Sequence, residues 1–334
     1  MMSRSELDRR TFLKVAGATT GLLATGSDPT AATEPIAAPA IIRQLPDVVV
    51  IGAGVFGGWT ALNLIEQGAS VVVVDAWGPG NARATSGDET RGVRTSYGDR
   101  PHGLLWARWA NEAMRRWRGF DERYASDLKL RLFFHTGDVI LRKETQPFLE
   151  DTRKNWDTLG TEYEVLTPDE VDYRWPGVFN LDEVGIALFE PQAGVGRARR
   201  SCEAVAEIFR QKGGEIVIAR ARPGLQIGDR LNDIVLSTHD ALAAGQFVFA
   251  LGPWMWKVLP SVMGNRMRTP LGFVFYYGTP VGDNRFTFPN MPSWNYPGVT
   301  GWPGLDIDNR GLRVRTGGAE HQDPDLSQRW INPA

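Results

Sequence analysis

The chain has 334 residues, 42% of them hydrophobic, with 37 basic against 39 acidic residues for a formal net charge of -2. That size suits a globular protein of one or two domains, and so even a charge balance gives no electrostatic case for nucleic acid or an anionic membrane surface as partner. The single cysteine, Cys202, excludes an internal disulfide and a cysteine-built zinc site, and His102, His135, His239 and His321 lack ligand spacing, so no metal centre is expected.

The N-terminal segment reads Arg9-Arg10-Thr11-Phe12-Leu13-Lys14, followed by a mildly apolar stretch from Val15 to Leu23. Paired arginines ahead of a short, weakly hydrophobic run resemble a bacterial twin-arginine (Tat) export signal. The run is too short and too rich in Gly, Ala and Thr to form a stable membrane span. Ala38-Pro39-Ala40 supplies an A-x-A cleavage candidate. Residues 1–40 are therefore expected to be a signal peptide read by the Tat machinery, and the mature protein periplasmic or extracellular. That route carries folded proteins, which suits a tightly held cofactor.

Val48 to Ile51 is a β-branched run of the kind buried on both faces of a parallel sheet. Gly52-Ala53-Gly54-Val55-Phe56-Gly57 follows at once. Val55 to Gln67 has helical periodicity through Ala61, Leu62 and Ile65, and Val71 to Val74 forms a second strand ending at Asp75 and Ala76. Gly52 permits a tight turn, Gly54 lets the backbone approach a pyrophosphate, and Gly57 lets helix and strand pack closely. The helix N-terminus from Val55 offers free N–H groups to phosphates. Asp75 stands where an acid accepts ribose hydroxyls and disfavours a 2′-phosphate. Strand, glycine loop, helix, second strand and terminal acid together predict dinucleotide binding, with FAD or NAD left open at this point.

After Asp75 an NAD dehydrogenase continues with further βα units, whereas here a small, polar, basic loop runs from Trp77 to Arg94. His102 to Trp117 shows Leu105, Trp109, Ala113 and Trp117 at helical spacing, predicting a helix packed on the sheet. Thr167-Pro168-Asp169-Glu170 is a helix start with a capping box. Ser201 to Gly213 reads as a helix, while Glu215 to Ala219, Asp233 to Thr238, Gln246 to Leu251 and Phe273 to Tyr277 read as strands.

Several stretches in order carry a resemblance. They are Val48 to Ala76, Gly87 to Arg94 with Tyr97-Gly98, Arg174-Trp175-Pro176-Gly177, Phe189-Glu190-Pro191-Gln192-Ala193-Gly194-Val195, and Phe249-Ala250-Leu251-Gly252-Pro253-Trp254. The chain resembles the D-amino-acid-oxidase-type FAD oxidoreductases, nearest the monomeric sarcosine oxidase and N-methyltryptophan oxidase branch, from about Asp47 to about Asp325. The resemblance implies an α/β fold: a Rossmann-like FAD-binding domain over residues 41–100 and about 185–260. A second, antiparallel-sheet (α+β) substrate domain then covers about 101–184 and 261–334. It implies FAD as cofactor, held by Gly52, Gly54, Val55, Gly57, Asp75, Ala76, Thr90, Arg91, Gly252 and Trp254. The backbone of Val217 to Ala221 is implied to contact the adenosine end.

Relatives oxidise a carbon–nitrogen bond by passing a hydride equivalent to the flavin and returning the electrons to oxygen, so an amine or (N-methyl) amino acid is the expected substrate. Arg94 matches the arginine that pairs with a substrate carboxylate, a task suited to the guanidinium fork; a structural ion pair is its alternative. Arg91 matches an arginine near the flavin ring. The lysine that activates oxygen in relatives falls at Arg313, the pocket tyrosine near Thr300 and the pocket histidine near Gly317, so a pocket tuned for sarcosine is not expected. Cys202 is expected to be a buried helical side chain rather than a flavin attachment point. Relatives continue past the position of Ala334, so the substrate domain is expected to be incomplete. The alternatives are a flavin-binding remnant without turnover and an NAD-dependent dehydrogenase.

Overall fold

Val48–Ile51 is four β-branched residues, all buried, and such a run needs cover on both faces. The computed structural model, which describes residues 45–305 and 310–326 without the side chains of 318–320, supplies both covers. The reading of residues 1–40 as a signal lies outside the described residues. A four-stranded parallel sheet runs in the order Gln246–Phe249, Val48–Ile51, Val71–Asp75, Glu215–Ile218. On one face Val48, Val50, Val71 and Val73 pack with Ala61 and Phe209 from the helices Val55–Glu66 and Ala198–Gln211. On the other, Val49, Ile51 and Val74 pack with Ile234 of a three-stranded antiparallel sheet formed by Ala221–Pro223, Asp233–Leu236 and Ala241–Ala243. Alternate residues of each strand thus feed two cores, as the period of two requires.

A seven-stranded sheet follows the order Pro270–Tyr277, Leu312–His321, Val299–Trp302, Ser293–Tyr296, Asp138–Arg142, Ile186–Glu190, Glu164–Leu166. It departs from the expected antiparallel pattern at one place: Ser293–Tyr296 runs parallel to Asp138–Arg142. The long connection between those strands provides the crossover that a parallel pair needs. Ile186–Glu190, placed by sequence beside the dinucleotide-binding half, pairs here with Asp138–Arg142. Val139 and Leu141 face one core with Trp294, while Ile140 and Leu188 face another with Leu149 and Trp156 of the helix Pro147–Leu159. A short three-stranded sheet, Arg91–Val93, Gly194–Gly196 and Phe133–Phe134, lies along the loop after Asp75.

The expected helix from His102 to Trp117 is a 26-residue helix, Gly103–Leu128, and its inward face differs from the expected one. Ala107, Met114 and Phe120 are buried, whereas Leu105 and Trp109 are exposed and Trp117 packs only in part beside Leu62, Phe120 and Val205. The inward face meets large side chains as well as small ones, with Phe120 packed beside Leu62, Trp59 and Tyr124. The capping box of the helix Pro168–Arg174 forms as expected: the Glu170 N–H donates to Thr167 Oγ1 and the Thr167 N–H donates to Glu170 Oε2 at 2.8 Å. Cys202 is buried on the helix Ala198–Gln211, and burial pushes its thiol up to about 11.

Candidate cofactor cradle and active site

The glycine loop is built by close backbone approach. Gly52 sits at φ +108 and donates its N–H to Val74 O at 2.8 Å. A Cβ on Gly57 would lie 1.7 Å from Gly52 O, so loop and helix could not meet with any other residue there. Gly54 precedes the helix Val55–Glu66, whose N-terminus has no cap from the Gly54 side chain position; instead the Val55 N–H donates to Ser86 Oγ at 3.1 Å. The remaining first-turn amides have no intrahelical acceptor and face outward with the positive end of the helix dipole.

Asp75 does more than end a strand. Its Oδ2 accepts the Ala53 N–H at 2.7 Å, and its Oδ1 accepts the N–H groups of Trp77 and Gly78. It thereby ties the glycine loop to the start of the basic loop, with Ala76 between. Ala219 donates its N–H to Asp75 O at 3.0 Å, which brings the 217–221 backbone alongside. Gly252, at φ +52, opens a 3-10 turn Gly252–Trp254 that runs into the short helix Met255–Val258. Trp254 packs on Trp77 with ring centroids 4.9 Å apart, and its Nε1–H donates to Asp325. The guanidinium groups of Arg83 and Arg220 lie 5.2 and 5.4 Å from the Trp77 ring centre. These contacts place Gly52, Gly54, Val55, Gly57, Asp75 and Ala76 along one edge, with Gly252 and Trp254 beyond it.

The second cluster gathers at the far end of the loop. Arg313 is 1% exposed, stacks its guanidinium 3.9 Å from the Trp302 ring centre, and pairs through Nη2 with Asp88. Its Nε and Nη1 are buried without a hydrogen-bond partner. Tyr276 donates its hydroxyl proton to Asp88 Oδ1 at 3.2 Å, and burial followed by the Asp88 charge holds its phenol above the usual range. Arg91 donates to Thr85 O at 2.7 Å and lies 3.6 Å from Asp88; burial pulls its guanidinium below its ordinary value, against the Asp88 charge. Gly92 fits under Trp302, where a Cβ would come within 2.2 Å of the indole nitrogen. Thr90 is buried beside them and lines a small cavity with Tyr276, Leu305 and Arg313.

Arg94 Nε lies 3.9 Å from Asp138 Oδ2, both atoms buried and unbonded, while the Arg94 side chain as a whole is 29% exposed. Asp138 stands directly across from Glu190 in strand register. Glu190 accepts the Thr95 hydroxyl at 2.6 Å and the Thr95 N–H at 3.0 Å; Trp156 Nε1–H donates to Thr95 Oγ1. Burial raises both acids, Glu190 to about 7, with Arg94 opposing the rise in each. The structure thus brings Thr90, Arg91, Arg94 and Arg313 together across more than two hundred residues of chain and adds Asp88, Tyr276, Trp302, Asp138 and Glu190, which the sequence reading did not select as site residues. Asp88 and Glu190 lay inside quoted motifs, but nothing local marks their partners. Thr300 sits across from Arg315, and Gly317 lies farther along the strand Leu312–His321.

The profile of the family described as "DAO: FAD dependent oxidoreductase" matches residues 47–330, and the chain belongs to that family. It is 24% identical over 222 residues to the monomeric sarcosine oxidase of Arthrobacter sp. (strain TE1826), covering 66% of this chain and 55% of that protein. It is 23% identical over 216 residues to the N-methyl-L-tryptophan oxidase of Yersinia pestis (strain Pestoides F), covering 65% and 56%. The chain spans about half the length of the curated relatives it matches. Among solved structures, the fold is similar to L-proline dehydrogenase from P. horikoshii (TM-score 0.65, 16% identity, 84% of this chain and 71% of that one). It is also similar to glycine oxidase from Bacillus cereus (TM-score 0.63, 18% identity, 86% and 74%).

The residues present fit FAD at both ends. The ADP end meets a loop from which any Cβ at Gly57 is excluded and a helix N-terminus whose Val55 N–H is taken by Ser86 Oγ while the other first-turn amides have no intrahelical acceptor. The ring end meets buried guanidinium N–H groups of Arg313 that have no acceptor in the protein, beside an aromatic and cationic wall.

Proposed function

We propose that this chain is part of an FAD-dependent oxidoreductase that acts on the carbon–nitrogen bond of an amino acid or N-alkyl amino acid. The observation that carries this reading is Arg94, a part-exposed guanidinium whose only ion-pair partner among the described residues is Asp138, set beside the Asp88–Arg313–Tyr276 cluster. FAD supplies the hydride-accepting ring. In this reading Gly52, Gly54, Val55 and Gly57 bind the pyrophosphate, Asp75 with Ala76 takes the ribose, and Gly252 and Trp254 flank the cofactor. Thr90 and Arg91 hold the ring edge, and Arg94 binds the substrate carboxylate through the Nη groups left without hydrogen bonds. Arg313 supplies fixed positive charge where negative charge develops.

The burial of Arg313 and its pairing with Asp88 favour a second reading on one point, the electron acceptor. A lysine in this place would keep mobile, hydrated N–H groups, whereas this guanidinium is buried, stacked on Trp302 and held in place by Asp88. We therefore expect slow reoxidation by oxygen and better turnover with another acceptor. The purified protein should show a flavin spectrum that amino acids bleach anaerobically and that recovers slowly in air. A protein that takes up no FAD would end the reading, and rapid recovery in air would reverse the second point. Export by the Tat route is proposed from Arg9-Arg10; replacing both by lysine should retain the protein in the cytoplasmic fraction, and unchanged fractionation would count against it.

A further inference from the structure

Asp138 and Glu190 stand directly across from one another in antiparallel register, so both side chains leave the sheet on one face. Ile140 and Leu188 share that face by alternation, and Leu149 and Trp156 of the helix Pro147–Leu159 cover it. Both acids are buried. Side chains paired in this way lie about 5 Å apart, close enough for like charges to oppose each other. Glu190 is well supplied with donors, since Thr95 gives it a hydroxyl and an N–H. Asp138 is not. Its Oδ2 accepts no hydrogen bond, and Arg94 Nε, at 3.9 Å, stands too far away to donate.

Among the described residues few charges offset these two acids. On the strand Ser293–Tyr296, Ser293 stands across from Asp138, and its hydroxyl is engaged with Thr136. The helix contributes Trp156 and Thr152, which are neutral. On the strand of Asp138 itself, Arg142 gives its N–H groups to Leu141 O and to Asn295, and divides its charge between Asp138 and Asp99. Arg94 is the cation that both acids share. It also reaches past them: its Nε is buried beside Asp138, while the side chain as a whole is part-exposed.

We propose that a substrate carboxylate arrives at Arg94 together with a proton from solvent, which the Asp138–Glu190 pair takes up. This rests on the reading of Arg94 as the carboxylate-binding group. In the free protein the Arg94 charge supports the buried pair. A carboxylate on its Nη groups competes for that charge and brings a third anion to the same place, and protonating the pair restores the balance. Asp138 is then the loose counter-ion that Arg94 gives up, a positioning residue that need not touch substrate. Burial already holds Glu190 at about 7, so the uptake falls in the neutral range. The bound protein holds more protons than the free protein, so carboxylate affinity falls as pH rises through that range.

Calorimetric titration with acetate, in the presence of FAD, counts the protons without turnover. At about pH 7.5 acetate stays ionised, and phosphate and Tris differ in heat of ionisation, so the difference in binding heat between the two buffers measures the uptake. About half a proton or more should be taken up, and affinity should drop at least about threefold from pH 6 to pH 8. Glu190→Gln should bring the uptake toward zero. Asp138→Asn, which frees Arg94, should bind acetate more tightly and with a flatter pH dependence, a gain that a merely structural role would not produce. Wild-type protein that binds acetate with no proton uptake overturns the proposal and leaves the reading of Arg94 intact. Uptake that persists undiminished in both variants overturns it as well. Acetate binding that Arg94→Gln leaves unchanged removes Arg94 as the carboxylate group, and this proposal with it. Proton-linked binding at Arg94 in a protein whose flavin no amino acid reduces would remove the oxidation reading alone.

Discussion

Glu190 shows how one side chain can serve the site without touching what binds there. It is 1% exposed, takes both donors of Thr95, and stands across from Asp138, whose carboxylate faces Arg94. Thr95 follows Arg94 in the chain, so Glu190 fixes the backbone that carries the arginine while Asp138 restrains its guanidinium. Two buried acids side by side cannot both ionise cheaply. Burial accordingly raises Glu190 to about 7 from an ordinary value of 4.5. Between those values the folded chain keeps a proton that the unfolded chain releases, so Glu190 lowers stability as pH rises through that window. Glu190→Gln removes the titration while keeping an oxygen for Thr95. Urea midpoints at pH 4.5 and 7.5 should therefore drop less with rising pH in the variant than in the wild type. An equal drop in both would show that Glu190 does not hold the extra proton.

The element that most depends on a single residue is the helix Val55–Glu66, which approaches Gly52 across Gly57. A methyl at Gly57 would lie 1.7 Å from Gly52 O and 3.3 Å from Ala250 Cβ, and both neighbours are packed. Gly57→Ala should cost about 1–3 kcal/mol by overpacking and reduce the flavin content of the purified protein. Gly119, inside the helix Gly103–Leu128, meets nothing nearer than Arg123 at 4.0 Å. Gly119→Ala should stabilise by about 0.5–1 kcal/mol, the usual helical preference for alanine. Paired denaturation curves check both signs, and stabilisation by Gly57→Ala would refute the close-approach argument. These elements were legible because their signals are local: β-branched runs, glycines at fixed spacing, and Thr167 three residues before Glu170. The inward stripe of Gly103–Leu128 was not, since exposed Leu105 and Trp109 carry as much apolar character as buried Ala107 and Met114. The arginine cluster was legible only residue by residue. Arg313 and Asp88 are 225 positions apart, and Thr95 and Glu190 are 95 apart; no spacing along the chain reports such a meeting.

At the scale of the molecule, the cores of the two large sheets are separate. Val48, Val50 and Val73 belong to one cluster, and Val139, Leu141 and Trp294 to another. Between them run the loop after Asp75 and the short sheet of Arg91–Val93, Gly194–Gly196 and Phe133–Phe134. The glycine cradle stands on the parallel sheet, whereas Tyr276, Trp302 and Arg313 stand on the seven-stranded one. A cofactor held at both ends therefore adds a tie between two layers that also meet where the helix Gly103–Leu128 packs against Pro147–Leu159. Binding to the folded state alone adds about 2.7 kcal/mol when FAD is present at 100 times its dissociation constant. Thermal unfolding should shift upward with added FAD, and the transition should sharpen as both layers melt together. ADP, which can fill only the cradle, should protect less and leave the transition broad. Equal protection by ADP and FAD would mean that the ring end gains nothing from Arg91, Arg313 and Tyr276, and that the cofactor does not join the layers.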